Sequence, residues 1–265
     1  MKYSVLIAIA LFGMLASCSP SDDGGSATAN VYIPLTLDSY WNYDVTGSGA
    51  AAGRDSLFVA NDTVINTKTY QKFKTGALPI GFYSNSLNGN SLRQDGDRLL
   101  LTGGAGLNVA AAFPVDLNLV DFVVFDESAG DGEALGSFTG TLSQTFQNIP
   151  LTIDYNLKST AMQTLPTYTS PNGDAYTDVK SVKTTLNLKV VATVEVTPGF
   201  SLPITVLNSQ DVVTSTQYFA KGIGVVYATT NITYNLAQAI PGSNIPQSGT
   251  QTQEEFLDTY HISTN

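Results

Sequence analysis

The chain has 265 residues, with 12 lysine and arginine against 22 aspartate and glutamate, for a formal net charge of −10. A phosphate binder needs a basic patch, so this balance argues against nucleic acid and against attraction to anionic lipid headgroups. Charged residues are only 13% of the chain and there is one cysteine, so no internal disulfide can staple the fold. A Val-, Thr-, Tyr- and Phe-rich hydrophobic core, a β composition, must hold it instead.

Residues 1–17, MKYSVLIAIALFGMLAS, place one lysine before an unbroken apolar run. The run from Val5 to Ala16 is shorter than the about 20 residues a membrane-spanning helix needs. A basic start, a short apolar core and small residues before a cut point describe a secretion signal. Cys18 falls at the expected cut. Leu15-Ala16-Ser17-Cys18 resembles the lipobox of bacterial lipoproteins, in which signal peptidase II cleaves before the cysteine and its thiol carries a diacylglycerol. The resemblance implies lipidation of Cys18 and membrane attachment through N-terminal acyl chains, each buried CH2 contributing about 0.8 kcal/mol. Residues 18–30 then read as the lipidated cysteine and a flexible tether. Asp22 and Asp23 resemble the acidic export signal that sends lipoproteins of Bacteroidota to the outside of the outer membrane. A periplasmic face is the alternative.

Residues 31–240 read as an antiparallel β domain. Tyr40, Trp41, Tyr43 and Val45 open it, with Trp41, Tyr43 and Val45 on one face and Trp41 expected as a core anchor. Two strands, Ser56–Ala60 and Val64–Phe73, are predicted on either side of a turn at Asn61-Asp62. Asn88-Gly89 and Asp95-Gly96 are hairpin dipeptides, with short strands expected around Phe82–Leu87, Ser91–Gln94 and Arg98–Thr102. Val109–Phe113 and Asn118–Phe125 follow, and the apolar DFVVFDE, residues 121–127, reads as a central, doubly covered strand. Beyond a loop over residues 127–136 come Ser137–Gln147 and Leu151–Met162. A polar loop over 167–178 precedes a long strand, Val179–Val196, whose period-2 pattern implies strong curvature or a bulge. Ile204–Asn208 and Val212–Phe219 lead to Gly222 and Gly224, which permit a bend and carry no nucleotide-binding signature. Residues 241–265 read as a polar C-terminal tail, with one or two helical turns over Glu254–Tyr260. The fold class is therefore all-β: a curved antiparallel sheet, either a two-layer sandwich or an open or half barrel.

Candidate chemistry is sparse. Asp121, Asp126, Glu127, Asp131 and Glu133 cluster on a strand end and a glycine-bearing loop. Of these, Asp126, Glu127, Asp131 and Glu133 are the candidate Ca2+ ligands, because loop oxygens can converge on that ion. Their spacing does not match the regular calcium loop, and solvated turn carboxylates are the simpler reading. Paired acids could also cleave glycans, while plentiful tyrosines suit carbohydrate binding without catalysis. His261 is the single histidine, so neither a multi-histidine metal site nor a Ser-His-acid hydrolase has footing, and no Gly-x-Ser-x-Gly elbow is present. No catalytic residue is assigned.

Tyr40-Trp41-Asn42-Tyr43, residues 55–73 and residues 218–227 are similar to stretches of β-rich lipoproteins of Bacteroidota. That resemblance implies a curved antiparallel sheet, similar in outline to periplasmic carrier lipoproteins, and names no catalytic residue. The expected function is a noncatalytic, membrane-anchored lipoprotein acting as a cell-envelope binding or scaffolding module. The alternatives are a carrier of lipid or another apolar ligand in a sheet cavity, a carbohydrate-binding module, and a carboxylate-based glycoside hydrolase. The partners this allows beyond the membrane are a glycan, a lipid or an envelope protein.

Overall fold

The computed structural model describes residues 31–49, 51–108, 114–239 and 245–264. The signal, Cys18, the tether and the strand expected over Val109–Phe113 lie outside the described residues. The elements, in order, are β1 (Tyr40–Ser48), β2 (Gly53–Ile65), β3 (Lys68–Thr75), α1 (Phe82–Leu87), β4 (Ser91–Asp95), β5 (Arg98–Asn108) and β6 (Pro114–Asp126). They continue with β7 (Ala134–Phe146), β8 (Ile149–Thr169), β9 (Ala175–Thr197), β10 (Phe200–Ala220), β11 (Gly224–Asn235) and β12 (Ser248–His261). Among the described residues no helix is long and apolar enough to cross a membrane.

All strands join one 12-stranded sheet in the order β6-β5-β4-β3-β2-β1-β12-β11-β10-β9-β8-β7. Chain neighbours are sheet neighbours at every step but one, and one ladder joins strands distant in the chain. β1 pairs with β12, Tyr40 opposite His261, which brings the two ends of the domain into the middle of the sheet. β6 and β7, consecutive in the chain, become its two edges. The sheet curls until β6 reaches the β7–β8 hairpin: Ser159 Oγ of β8 donates to the Val123 carbonyl at 2.5 Å, and a Cβ on Gly136 of β7 would sit a tight 3.2 Å from the Phe122 ring and the Val123 carbonyl. The result is an all-β, curved antiparallel sheet that nearly closes into a barrel.

An antiparallel meander sends alternate connections to opposite ends of the curl. One end carries the β1–β2, β7–β8 and β9–β10 turns and α1. The other carries the β10–β11 turn and Val31, whose carbonyl accepts from Gly222 N–H at 2.9 Å. Trp41 anchors that second end as expected: it is 2% exposed, and its indole N–H donates to the Ile223 carbonyl at 2.5 Å. Gly224, at φ +117°, leaves no free space beside the indole, since a Cβ there would sit 3.0 Å from Trp41 Nε1. The inward face is continuous core, with Tyr43, Leu57, Phe73, Leu99, Leu117, Leu151, Leu188 and Val213 all buried.

Several sequence expectations need correction. Phe82–Leu87 is a helix, not a strand; six residues are too few to show a 3.6-residue period. β2 runs through Asn61-Asp62 with a bulge between Val59 and Asn61. The chain turns instead at Asn66-Thr67, whose φ values of 49° and 69° are those of a two-residue hairpin turn. DFVVFDE lies in an edge strand, not a central one. Phe122 and Phe125 are still buried, because the pairing of β6 with β5 shifts register between Val123 and Phe125 and so turns both inward, Phe125 against Tyr32 and Phe219 at 4.8 and 4.7 Å between ring centres. The two segments expected over 204–219 form one irregular strand, β10. The long strand expected over 179–196 is longer still, 23 residues, paired to β10 with bulges that bend it. Glu254–Tyr260 is not helical: it lies in β12, a central strand inside the stretch read as a polar tail.

Candidate functional site

The site is built on the inward face of β2, β1 and β12. Period-2 alternation points Asp55 of β2 and Gln253, Glu255 and Leu257 of β12 into the curl, with Tyr43 and Val45 of β1 between them. Three polar side chains facing a core need partners, and the segment leading into α1 supplies them. Ile80 and Gly81 N–H donate to the Asp55 carboxylate, Gly81 at 2.7 Å. Phe82 N–H donates to Gln253 Oε1 at 2.6 Å, and Gln253 Nε2 returns a bond to the Ile80 carbonyl at 2.8 Å. Glu255 accepts from Tyr83 N–H, from Ser84 N–H at 3.1 Å and from Ser84 Oγ at 2.7 Å. Tyr83 meets Tyr43 edge-on, 5.7 Å between centres. Gly81 is required here, because a Cβ would overlap Glu255 and come within 2.8 Å of Asp55 Oδ2.

Glu255 is 1% exposed. Burial pushes its carboxyl up to about 7; the donors at Tyr83 and Ser84 pull the other way, and the nearby Asp55 charge adds to the rise. Burial likewise raises the Tyr43 and Tyr83 hydroxyls far above their ordinary range. This is a carboxylate pair with a perturbed member, a pattern associated with acid–base chemistry. Its oxygens, however, are taken up by backbone donors, and the neighbouring cavity is lined by neither Asp55 nor Glu255. Its role in this geometry is to seat α1.

On its other side α1 covers that cavity. Phe82 and Leu87 of α1, Ile33, Leu119 and Phe122 of β6 and Leu157 of β8 form an almost wholly apolar, partly open lining around about 80 Å3. Small-molecule sites span roughly 300–1,000 Å3, so the space suits a small apolar group and not a whole lipid.

The acids singled out in the sequence are placed apart. Asp126 accepts from its own turn, Ser128 N–H and Oγ, and Glu133 from Gly130 N–H at 3.0 Å. Glu127 lies 3.5 Å from Lys221, and Asp131 accepts a long bond from Thr164. Among the described residues no group of three or more His, Cys, Asp or Glu is positioned to hold a metal ion. Asp121 belongs elsewhere, beneath Arg93, whose Nε and Nη2 reach its two oxygens at 3.0 and 3.1 Å. Lys68 and Tyr70 add bonds at 2.8 and 2.6 Å. The Arg93 bonds above all hold this carboxyl well below the ordinary range.

The tyrosines largely serve packing. Tyr168, Tyr218, Tyr227 and Phe256 form a cross-strand row on the outer face with centres 4.4, 5.6 and 5.1 Å apart. Tyr168 and Tyr218 stack face to face, and the other two pairs are tilted by 38° and 34°, so the rings pack mainly on one another, whereas a sugar platform needs a free face. His261 is exposed beside Tyr40, 5.7 Å between rings. Asp55, Gln253 and Glu255 had no signature in the sequence, since no motif links residues 55 and 255 before the sheet is closed. Compared with family models, curated proteins and solved structures, the chain matches none.

Proposed function

We propose that the protein is a noncatalytic lipoprotein, anchored through Cys18, whose β body binds a small apolar group beneath α1. The cavity lining carries this reading: an apolar space at the edge of the sheet, roofed by a helix held by specific polar contacts. An engineered apolar cavity of about 150 Å3 accepts benzene, so about 80 Å3 fits something smaller, such as the methyl end of an acyl chain. With that anchor the protein belongs to an outer membrane, on the cell surface or, as the alternative, in the periplasm.

Titration with dodecanoate by calorimetry tests the site. Saturable binding with a negative heat-capacity change is expected, and Leu157→Phe, which fills the space, should weaken it at least tenfold. Absence of heat up to millimolar dodecanoate overturns the binding reading. The anchor is tested separately by mass spectrometry of the mature N-terminus: acylated Cys18 is expected, and an unmodified terminus at another residue rejects it.

A further inference from the structure

β7 is an edge strand of an unusual kind. Its 13 residues, ALGSFTGTLSQTF, hold no charge and no proline, the devices that normally keep sheet edges from pairing. Phe146 and Ile149 flank the two-residue turn Gln147-Asn148, so they form a hydrogen-bonded pair and the even-numbered residues of β7 bond to β8. The odd-numbered residues from Ser137 to Thr145 therefore turn their N–H and C=O groups to the free edge. Among the described residues no strand pairs with that edge, and β6 meets β7 at Gly136, near its start.

The strand is also nearly a palindrome. About Leu142 the sequence reads Phe-Thr-Gly-Thr-Leu-Ser-Gln-Thr-Phe. We infer that β7 pairs antiparallel with β7 of a second copy of this chain about a two-fold axis at Leu142, joining two curled sheets edge to edge. Thr141 then faces Ser143 of the second copy, and Thr139 faces its Thr145, through the unused backbone groups. Phe138 faces the second copy's Phe146 and Leu142 faces its own counterpart, all on the inward side.

A third observation falls at the same place. Gln144 Nε2 is a buried side-chain polar atom without a hydrogen-bond partner among the described residues, and such atoms are rare. The two-fold register sets Gln144 opposite Gly140 of the second copy. There Tyr155 lies across the glycine, its hydroxyl occupying the place of a Cβ, so the pairing offers the amide an oxygen. The same surface contacting itself is what a two-fold interface demands. Nine paired residues make a small interface by the standard of specific complexes, so the dimer is weak and depends on concentration.

Cross-linking tests the register, using the full chain in detergent solution. Leu142→Cys places two thiols on a non-hydrogen-bonded pair, with Cα atoms about 4.5 Å apart, within disulfide reach. Thr145→Cys places them about 20 Å apart. Oxidised dimer at least tenfold more abundant for Leu142→Cys than for Thr145→Cys or the unaltered chain is expected. Sedimentation of the unaltered chain should show a dimer that Thr141→Pro, which removes one outward N–H without touching the β8 ladder, weakens at least tenfold. Equal cross-linking at 142 and 145, or a monomer at about 100 μM, overturns the proposal. If Thr141→Pro fails to fold, the cross-linking comparison and the unaltered chain still decide.

Discussion

Two carboxylates govern the pH response from opposite sides. Asp121, held low by Arg93, contributes stability that is present above the ordinary aspartate range and lost as pH falls through its lowered value. Glu255 acts in the other sense. Below about pH 4.5 its carboxyl is protonated whether the chain is folded or not. Between there and about 7 the folded protein keeps a proton that the unfolded chain has released. Its contribution is thus complete at low pH and lost as pH rises through about 7, up to about 3 kcal/mol in all. Glu255→Gln removes the titrating group. Urea midpoints measured at pH 5 and pH 8 should fall with pH for the native chain by more than for the variant. Equal slopes in the two proteins would show that seating α1 does not depend on this proton.

Among the elements, what could be read from the sequence depended on whether inward positions were apolar. β1 announced itself through Trp41, Tyr43 and Val45, all inward and all buried. β9 did so through Val182, Leu186, Leu188 and Val190. β12 could not, because its inward face is Gln253-Glu255-Leu257: the residues that seat α1 also erase the alternation that marks a strand. The candidate site hid the element that carries it. α1 was hidden for a related reason, since its stability comes from Asp55 and Glu255, distant in sequence, and not from a local apolar stripe. The Asn88-Gly89 dipeptide was a true turn signal, but it ends α1 and does not join two strands. The acids over 126–133 were legible as a loop, and all but Asp126, the last residue of β6, lie in one, each bonded locally or to a single lysine or threonine.

At the scale of the molecule, the unusual feature is where the first and last strands lie in the sheet. A simple up-and-down meander would begin at one sheet edge and finish at the other. Here the ends meet at the β1–β12 ladder, while the two edges are joined by residues 127–133. Every other ladder links strands adjacent in the chain, so β1–β12 is the long-range pairing whose loop-closure entropy the fold must meet. A circular permutant that links residue 264 to residue 31 and opens the chain between Gly130 and Asp131 converts that pairing into a local hairpin. It leaves every strand ladder in place and breaks the Gly130–Glu133 bond. Because folding rate rises as contacts become more local, the permutant should refold at least tenfold faster in stopped-flow experiments, with a similar unfolding rate. A refolding rate within twofold of the native order would mean that β1 and β12 pair after the rate-limiting step, with the two halves of the sheet forming first as separate meanders.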